Sequence, residues 1–292
     1  MAEQVWTVRA ALDWTRGFLG ERGDEHPRRS AEWLLSAATG LSRVELYAYH
    51  DRPLSPEERA MLREGVKRRA AGEPLQYVTG EVAFRHLVVK VRLGVLIPRP
   101  ETEVVTQAAL DAVVDVPAPL IADVCTGSGC IALALAQEHE GAEVFATDIS
   151  AVCVETAAGN AERLGLAERV RVLEGDLLAP LPGELRGRFD VVISNPPYIP
   201  SADLPDLPAE VAGFEPHLAL DGGADGLDVF RRLLAEARSW LAPGGLLVVE
   251  LDESRVKAAA QEAQEWYEQV RVNGDLTGRD RFVTARLPRS TL

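Results

Sequence analysis

Apolar residues in the first seventy positions recur at helical spacing. Val5, Val8, Leu12 and Phe18 mark one stripe, and Ala31, Leu34, Leu35 and Ala38 mark a second that Gly40 stops. A third helix opens at Ser55-Pro56-Glu57-Glu58. The serine is an N-cap, the proline suits the first helical position, and the acids favour the first turn. It runs to about Ala71, where Gly72 ends it, so residues 1–72 read as a small helical domain. Across 73–98 the period changes. Tyr77-Val78-Thr79 and Leu87-Val88-Val89-Lys90-Val91 are β-rich, split by Gly80 and closed by Gly94, which predicts a β-hairpin linker. The remainder, 99–292, begins with a helix near Glu101 and then alternates. Apolar strands are expected at 120–124, 143–147, 170–173, 189–194 and 246–251, with helices at 131–137, 151–164, 227–241 and 255–267. Pro243-Gly244-Gly245 reads as a turn, and two short strands near 270–273 and 282–287 close the chain. Strands alternating with amphipathic helices predict an α/β doubly wound sheet, mostly parallel, with an antiparallel end.

Composition narrows the class. The 292 residues are 47% hydrophobic and 26% charged, an ordinary globular mixture. No apolar run is long enough to span a membrane, and the N-terminus lacks the apolar stretch of a signal peptide. The net charge of −14 is unevenly shared: residues 1–72 carry +1 and residues 73–292 carry −15. A field that negative opposes a phosphate backbone, so stable nucleic-acid binding is not expected. The basic stretch Arg59, Arg63, Lys67, Arg68 and Arg69 reads as a solvated helix face. Cys125, Cys130 and Cys153 are odd in number and contain no Cys-x-x-Cys. They read as small buried hydrophobes in a reducing, cytoplasmic protein rather than as a disulfide or zinc framework.

Candidate chemistry gathers where strands end, the position at which open α/β sheets bind ligands. After the first core strand comes Cys125-Thr126-Gly127-Ser128-Gly129, whose small residues allow a tight turn and close backbone approach. The second strand ends in Asp148, 21 residues beyond Gly127, the distance at which a carboxylate reaches ribose hydroxyls. Ser150 is available as the cap of the next helix. After the third strand, Asp176 could accept an adenine amino hydrogen while Leu177 packs the ring. These loops outline an adenosine site, and the absence of a phosphate-loop lysine argues against ATP. The fourth strand runs into Asn195-Pro196-Pro197-Tyr198. The prolines hold the backbone extended. Asn195 supplies a carbonyl acceptor and Tyr198 a flat aromatic face, which together suit a planar –NH₂ group.

The Asn195–Tyr198 tetrapeptide with the 126–129 loop resembles the class I S-adenosylmethionine-dependent amino-methyltransferases. Further segments narrow the resemblance to the release factor glutamine-N5 methyltransferases. They are Gly72-Glu73-Pro74-Leu75-Gln76-Tyr77-Val78-Thr79-Gly80, Leu96-Ile97-Pro98-Arg99-Pro100-Glu101-Thr102-Glu103, Phe214-Glu215-Pro216-His217-Leu218-Ala219-Leu220, 222–227 and 275–281. The resemblance implies a Rossmann-like, seven-stranded, mostly parallel sheet behind an N-terminal substrate-recognition bundle. It implies methyl transfer from S-adenosylmethionine, yielding S-adenosylhomocysteine, to the glutamine of the Gly-Gly-Gln motif of class 1 peptide chain release factors, by a monomer. Cys125, Thr126, Gly127, Ser128, Gly129, Asp148, Asp176, Leu177 and Asn195 would hold the cofactor. Asn195, Pro196, Pro197 and Tyr198 would hold the substrate, with Asn195, Pro196 and Tyr198 catalytic. This chain departs from the family in two places: Cys125 replaces a usual glycine, where φ > 0 would be strained, and Glu250-Leu251-Asp252-Glu253-Ser254-Arg255 replaces Glu-x-Gly-x-x-Gln.

A glutamine amide nitrogen is a poor nucleophile because its lone pair is delocalised. The task is therefore positioning, worth roughly 7–11 kcal/mol in favourable cases. The Asn195 side-chain oxygen and the Pro196 carbonyl would accept the two amide hydrogens while Tyr198 stacks on the amide. The sulfonium loses its charge in the transfer, so no metal is expected. A DNA or RNA exocyclic-amino methyltransferase, which needs the same clamp after base flipping, is the competing reading. A non-enzymatic cofactor-binding scaffold predicts a damaged clamp, and the clamp is intact.

Overall fold

The computed structural model describes residues 5–289. By contacts the chain divides into two compact units, residues 1–81 with 208–214, and 82–207 with 215–292.

The first unit contains α1 (Val8–Gly20), α2 (Pro27–Thr39), α3 (Arg43–Ala48), α4 (Pro56–Ala70) and α5 (Leu75–Thr79). Its core is Val8, Ala11, Leu12, Leu19, Leu34, Leu35, Leu46, Leu62 and Val66. The expected stripe of α1 is shifted: Val5 lies outside the helix and is exposed, and Phe18 is only partly buried. Ser55 is the expected N-cap of α4, with Pro56 in the first turn; Glu58 completes a capping box beyond that expectation, and Lys67, Arg68 and Arg69 stand in the last turn. The basic stretch is only partly a solvated face. Arg68 pairs with Glu73 at 2.5 Å, and Arg69 bridges Asp24 at 2.8 Å and Glu210 at 3.0 Å. Tyr77-Val78-Thr79 is helical rather than a strand, because Pro74 opens α5 and Gly80, at φ 76°, closes it in the left-handed conformation.

The hairpin of β1 (Glu81–Phe84) and β2 (Leu87–Lys90) belongs to the second unit from Val82 on, and α6 (Pro100–Val113) follows it. Then come β3 (Leu120–Val124), α7 (Cys130–Glu138), β4 (Glu143–Asp148), α8 (Ala151–Arg163), β5 (Val170–Glu174) and β6 (Phe189–Ser194). The short α9 (Ala209–Phe214) belongs to the first unit. The chain ends with α10 (Asp228–Ala237), β7 (Leu241–Glu250), α11 (Val256–Ala263), β8 (Glu268–Gly274) and β9 (Asp280–Arg286). The expected seven-stranded sheet forms in the order β5-β4-β3-β6-β7-β9-β8. All pairs are parallel except β7 with β9 and β9 with β8.

Strand alternation builds two cores. Ile121, Val191, Ile193 and Val248 face α6 and α7, while Ala122, Val192, Leu247 and Val249 face α10 and α11. The helix expected over 227–241 stops at Ala237, and Leu241 already pairs with Phe189. The next register is Val191 with Leu246, so Pro243-Gly244-Gly245 is a bulge within β7 rather than a turn outside it.

Candidate active site

The strand order reverses at the β3–β6 border, and the ends of β3, β4, β5 and β6 open together there. One cavity at these ends is lined by Cys125, Thr126, Gly127, Ser128, Asp148, Asp176, Leu177, Asn195 and Pro197. Nine positions read from the sequence therefore converge. Gly129, Pro196 and Tyr198 do not line this cavity. Gly129 lies under the loop, at φ 81°, where a Cβ would meet Ala157 Cβ at 3.0 Å. Pro196 is buried. Tyr198 packs against the β6–β7 core, where burial, with Glu250 nearby, pushes its hydroxyl pKa up.

The 125–129 loop is held from below. Asp123 Oδ2 accepts from Thr126 Oγ1 at 2.6 Å and from the Ala132 N–H at 3.1 Å, joining the strand to the start of α7. Complete burial pushes the Asp123 carboxyl up to about 7. Asn160 on α8, also buried, donates to the Ser128 carbonyl at 2.9 Å and to the Lys90 carbonyl at 3.0 Å. Neither support was read from the sequence. Asp123 lies inside the strand expected over 120–124, two residues before the loop, and Asn160 is a mid-helix amide with no local signal. Cys125 has φ 61° and Leu177 φ 45°. Two residues with side chains thus adopt the left-handed conformation at one cavity, the kind of local strain that concentrates at functional sites. Burial, reinforced by Asp148, pushes the Cys125 thiol far up, so it is not a thiolate nucleophile. Cys125 is half-buried, unlike Cys130 and Cys153, and all three are free.

Asp148 Oδ2 accepts from the Gly127 N–H and Oδ1 from the Ser150 N–H, both at 2.9 Å. Burial raises its pKa, partly opposed by those two donors. Ser150 caps α8 as expected, so Asp148 is spared for the cavity. Asp176 is ion-paired with Arg232 of α10 at 2.5 Å. Arg232 and Val229 line the cavity, and so do Leu96 and Pro98 from the segment leading into α6 and Thr102 from its first turn. Their roles come from packing between elements far apart in sequence. At the β6 end, Asn195 Nδ2 donates to Thr102 Oγ1 at 3.2 Å, which leaves Oδ1 as the acceptor of that amide.

These groups fit S-adenosylmethionine. A carboxylate at the second strand end matches ribose hydroxyls, Leu177, Ile149 and Val229 provide apolar walls for a planar base, and the small loop allows close backbone approach. Among the described residues no helix is long and apolar enough to cross a membrane.

Residues 10–80 match the family described as PrmC N-terminal domain, and residues 102–205 match the methyltransferase small domain. The release factor glutamine methyltransferase of Geobacter sulfurreducens is 50% identical over 248 residues, 85% of each chain. That of Moorella thermoacetica is 46% identical over 281 residues, 96% of this chain and 98% of the relative. That of Deinococcus radiodurans is 41% identical over 279 residues, covering 96% and 98%. Among solved structures, the human METTL16 catalytic domain in complex with the MAT2A 3′UTR hairpin 6 superimposes with a TM-score of 0.54 at 17% identity, covering 78% of this chain and 83% of that one. At that identity the likeness bears on the fold alone.

Proposed function

The chain belongs to the release factor glutamine methyltransferases, and from that premise we propose that its cavity aligns the side-chain amide of a release factor glutamine with the methyl group of S-adenosylmethionine. The observation that carries this reading is the Asn195 amide, anchored by Thr102 through its nitrogen and left with its oxygen as acceptor at the cavity that also holds Asp148. S-adenosylmethionine supplies an electrophilic sulfonium methyl. Asp148 would hold the ribose hydroxyls, Leu177 would pack the base, and the 125–129 backbone would approach the methionine portion. Asn195 Oδ1 and the Pro196 carbonyl accept the two N–H hydrogens of the incoming glutamine amide. Both acceptors would hold the amide plane with its nitrogen face toward the sulfonium methyl, so that the N–CH₃ bond forms as the S–CH₃ bond breaks, S-adenosylhomocysteine leaves and one amide proton passes to solvent; the stiff Asn195-Pro196-Pro197 backbone fixes the acceptor directions. Tyr198 packs against the β6–β7 core beside the cavity instead of lining it, so it backs the Asn195-Pro196-Pro197 segment rather than stacking on the amide.

The acceptor is the glutamine of the Gly-Gly-Gln motif of a class 1 release factor, which places the reaction in the cytoplasm, with the enzyme acting as a monomer. A glutamine at a loop tip offers too little surface for selective protein recognition, which usually involves roughly 800 Å² per partner. Residues 1–72, near-neutral at +1 against −15 for the rest of the chain, supply the second surface. The test is incubation with labelled S-adenosylmethionine and either a class 1 release factor or DNA. Label is expected on the release factor glutamine, and label on DNA alone overturns the reading. Asn195→Ala is expected to bind S-adenosylmethionine within a few-fold of wild type while losing about 10²–10³ in single-turnover rate.

A further inference from the structure

Glu250 is the last residue of β7 and is only 1% exposed. Ser194 pairs with Val249, so Glu250 stands beside Asn195 at the shared end of the two strands. Thr102, 2% exposed, is in the first turn of α6, which packs against both β6 and β7. Neither carboxyl oxygen of Glu250 has a hydrogen-bond partner within ordinary geometry, and the side chain whose hydroxyl reaches toward them is Thr102. A buried carboxyl without a partner is unfavourable, and one kept at a strand end beside a reacting centre calls for an explanation.

We propose that Glu250 is a positioning residue for the methyl transfer: by drawing the Thr102 hydroxyl proton toward itself, it obliges Thr102 to accept from Asn195 Nδ2 and so turns Asn195 Oδ1 toward the glutamine nitrogen. This rests on the clamp assigned to Asn195 above.

The two ends of an asparagine amide have nearly the same shape, so packing alone does not choose between them. The choice falls to Thr102. Its hydroxyl has one proton, and Asn195 Nδ2 lies 3.2 Å from its oxygen. If that proton goes to Glu250, Thr102 can only accept from Asn195, and the amide oxygen faces the cavity. If Thr102 instead donates to Asn195, the amide turns over and presents –NH₂ to the substrate –NH₂, donor against donor. An ionised carboxylate accepts only, and enforces the first arrangement. A protonated one can donate to Thr102 and release the constraint. Thr102 is the first group countering the effect of burial on Glu250, and the net result holds the carboxyl up at about 7. Among the described residues, the other charged or titratable groups facing this cluster are Arg281 on β9, Glu101 and Arg99 at the start of α6, Cys130 at the start of α7, Tyr198 after β6, and Asp252 after β7. Arg99 is already paired with Glu215 at 2.5 Å.

The single-turnover rate of the full-length enzyme, saturated with S-adenosylmethionine and a class 1 release factor, is measured from pH 5.5 to 9. The wild-type rate is expected to rise as pH passes through about 7 and Glu250 ionises. Glu250→Gln is expected to lose roughly tenfold at high pH, to flatten the profile, and to keep cofactor affinity within twofold. Thr102→Val, which removes the hydroxyl at constant shape, should lose a similar amount, and Thr102→Ser should recover most of it. Adding Glu250→Gln to Thr102→Val should then change nothing further. A merely structural glutamate would lower stability without altering the pH profile. If Asn195→Ala abolishes transfer while Glu250→Gln keeps the wild-type rate and profile, the relay is wrong and the clamp stands. If Asn195→Ala itself is harmless, the clamp fails first.

Discussion

Replacing Gly129 by alanine tests whether the cofactor loop is held by packing as well as by conformation. Gly129 has φ 81°, and an added Cβ would lie 3.0 Å from Ala157 Cβ, 3.3 Å from Ala157 Cα and 3.2 Å from Leu133 Cδ1. The left-handed backbone costs an alanine about 1–2 kcal/mol. The contact with Ala157 includes backbone and cannot be relieved by a rotamer change, which adds about 1–3 kcal/mol of overpacking. Reduced freedom of the unfolded chain returns about 0.4–1 kcal/mol. The net loss is then about 1–5 kcal/mol, read from urea denaturation at constant m. Relief by separating α7 from α8 would displace the loop, so calorimetry should show S-adenosylmethionine binding weakened at least tenfold, or about 1.4 kcal/mol. Gly127→Ala is the comparison. Gly127 also has positive φ, 58°, but nothing lies within 4 Å of its Cβ position, so only the backbone part of the loss is expected. Equal stability losses for the two variants would refute the packing argument, and a Gly129→Ala protein with wild-type stability and affinity would refute both parts.

Three other outcomes are expected. Asp148→Ala should weaken S-adenosylmethionine binding by roughly 1.5–3 kcal/mol by calorimetry, with the maximal rate changed less; unchanged affinity would reduce Asp148 to a partner of the Gly127 and Ser150 N–H groups. Asp123 is held at about 7 against an ordinary value of 3.8. The folded state therefore keeps a proton that the unfolded state loses, and stability should fall as pH rises from about 4 to 7. Asp123→Asn should remove that slope's contribution, on the order of a few kcal/mol across the window, and parallel curves for the two proteins would contradict it. Removing residues 1–72 should leave S-adenosylmethionine binding intact but slow methylation of the intact release factor; a soluble truncated protein working at the full rate would end the recognition role.

Much of the catalytic unit was legible because its strands are buried on both faces and end in residues with distinctive chemistry. Leu120–Val124 and Phe189–Ser194 are mainly apolar runs, interrupted by Asp123 and Asp190, that stop at the cysteine-to-glycine loop and at Asn195. The misreadings came from competing local signals. Tyr77-Val78-Thr79 has strand-forming residues, yet Pro74 and Gly80 impose one helical turn. Pro243-Gly244-Gly245 has turn chemistry, yet Leu241 pairs with β6 before it and Leu246 after it, so the sheet absorbs the irregularity as a bulge. The short α3 passed unnoticed because it buries only Leu46. Asn160, Arg232 and Thr102 reach the cavity region from helices, and no local pattern distinguishes them from other polar helix residues. Glu250 stood in a segment that departs from the family pattern, although the glutamate itself is retained.

The Arg69–Glu210 ion pair joins residues 141 positions apart within the first unit. Its consequence lies in the order of synthesis. At about 5–20 residues per second, that separation corresponds to a delay of roughly 7–28 s on the ribosome. The helical unit is made first, yet it receives its last piece only after β3, β4, β5 and β6 have been translated. Until then Arg69 has Asp24 as its carboxylate partner, and the surface that will receive 208–214 stays open. A nascent chain stalled before residue 208 should therefore carry a protease-sensitive helical unit, and one stalled well beyond 214 a protected one.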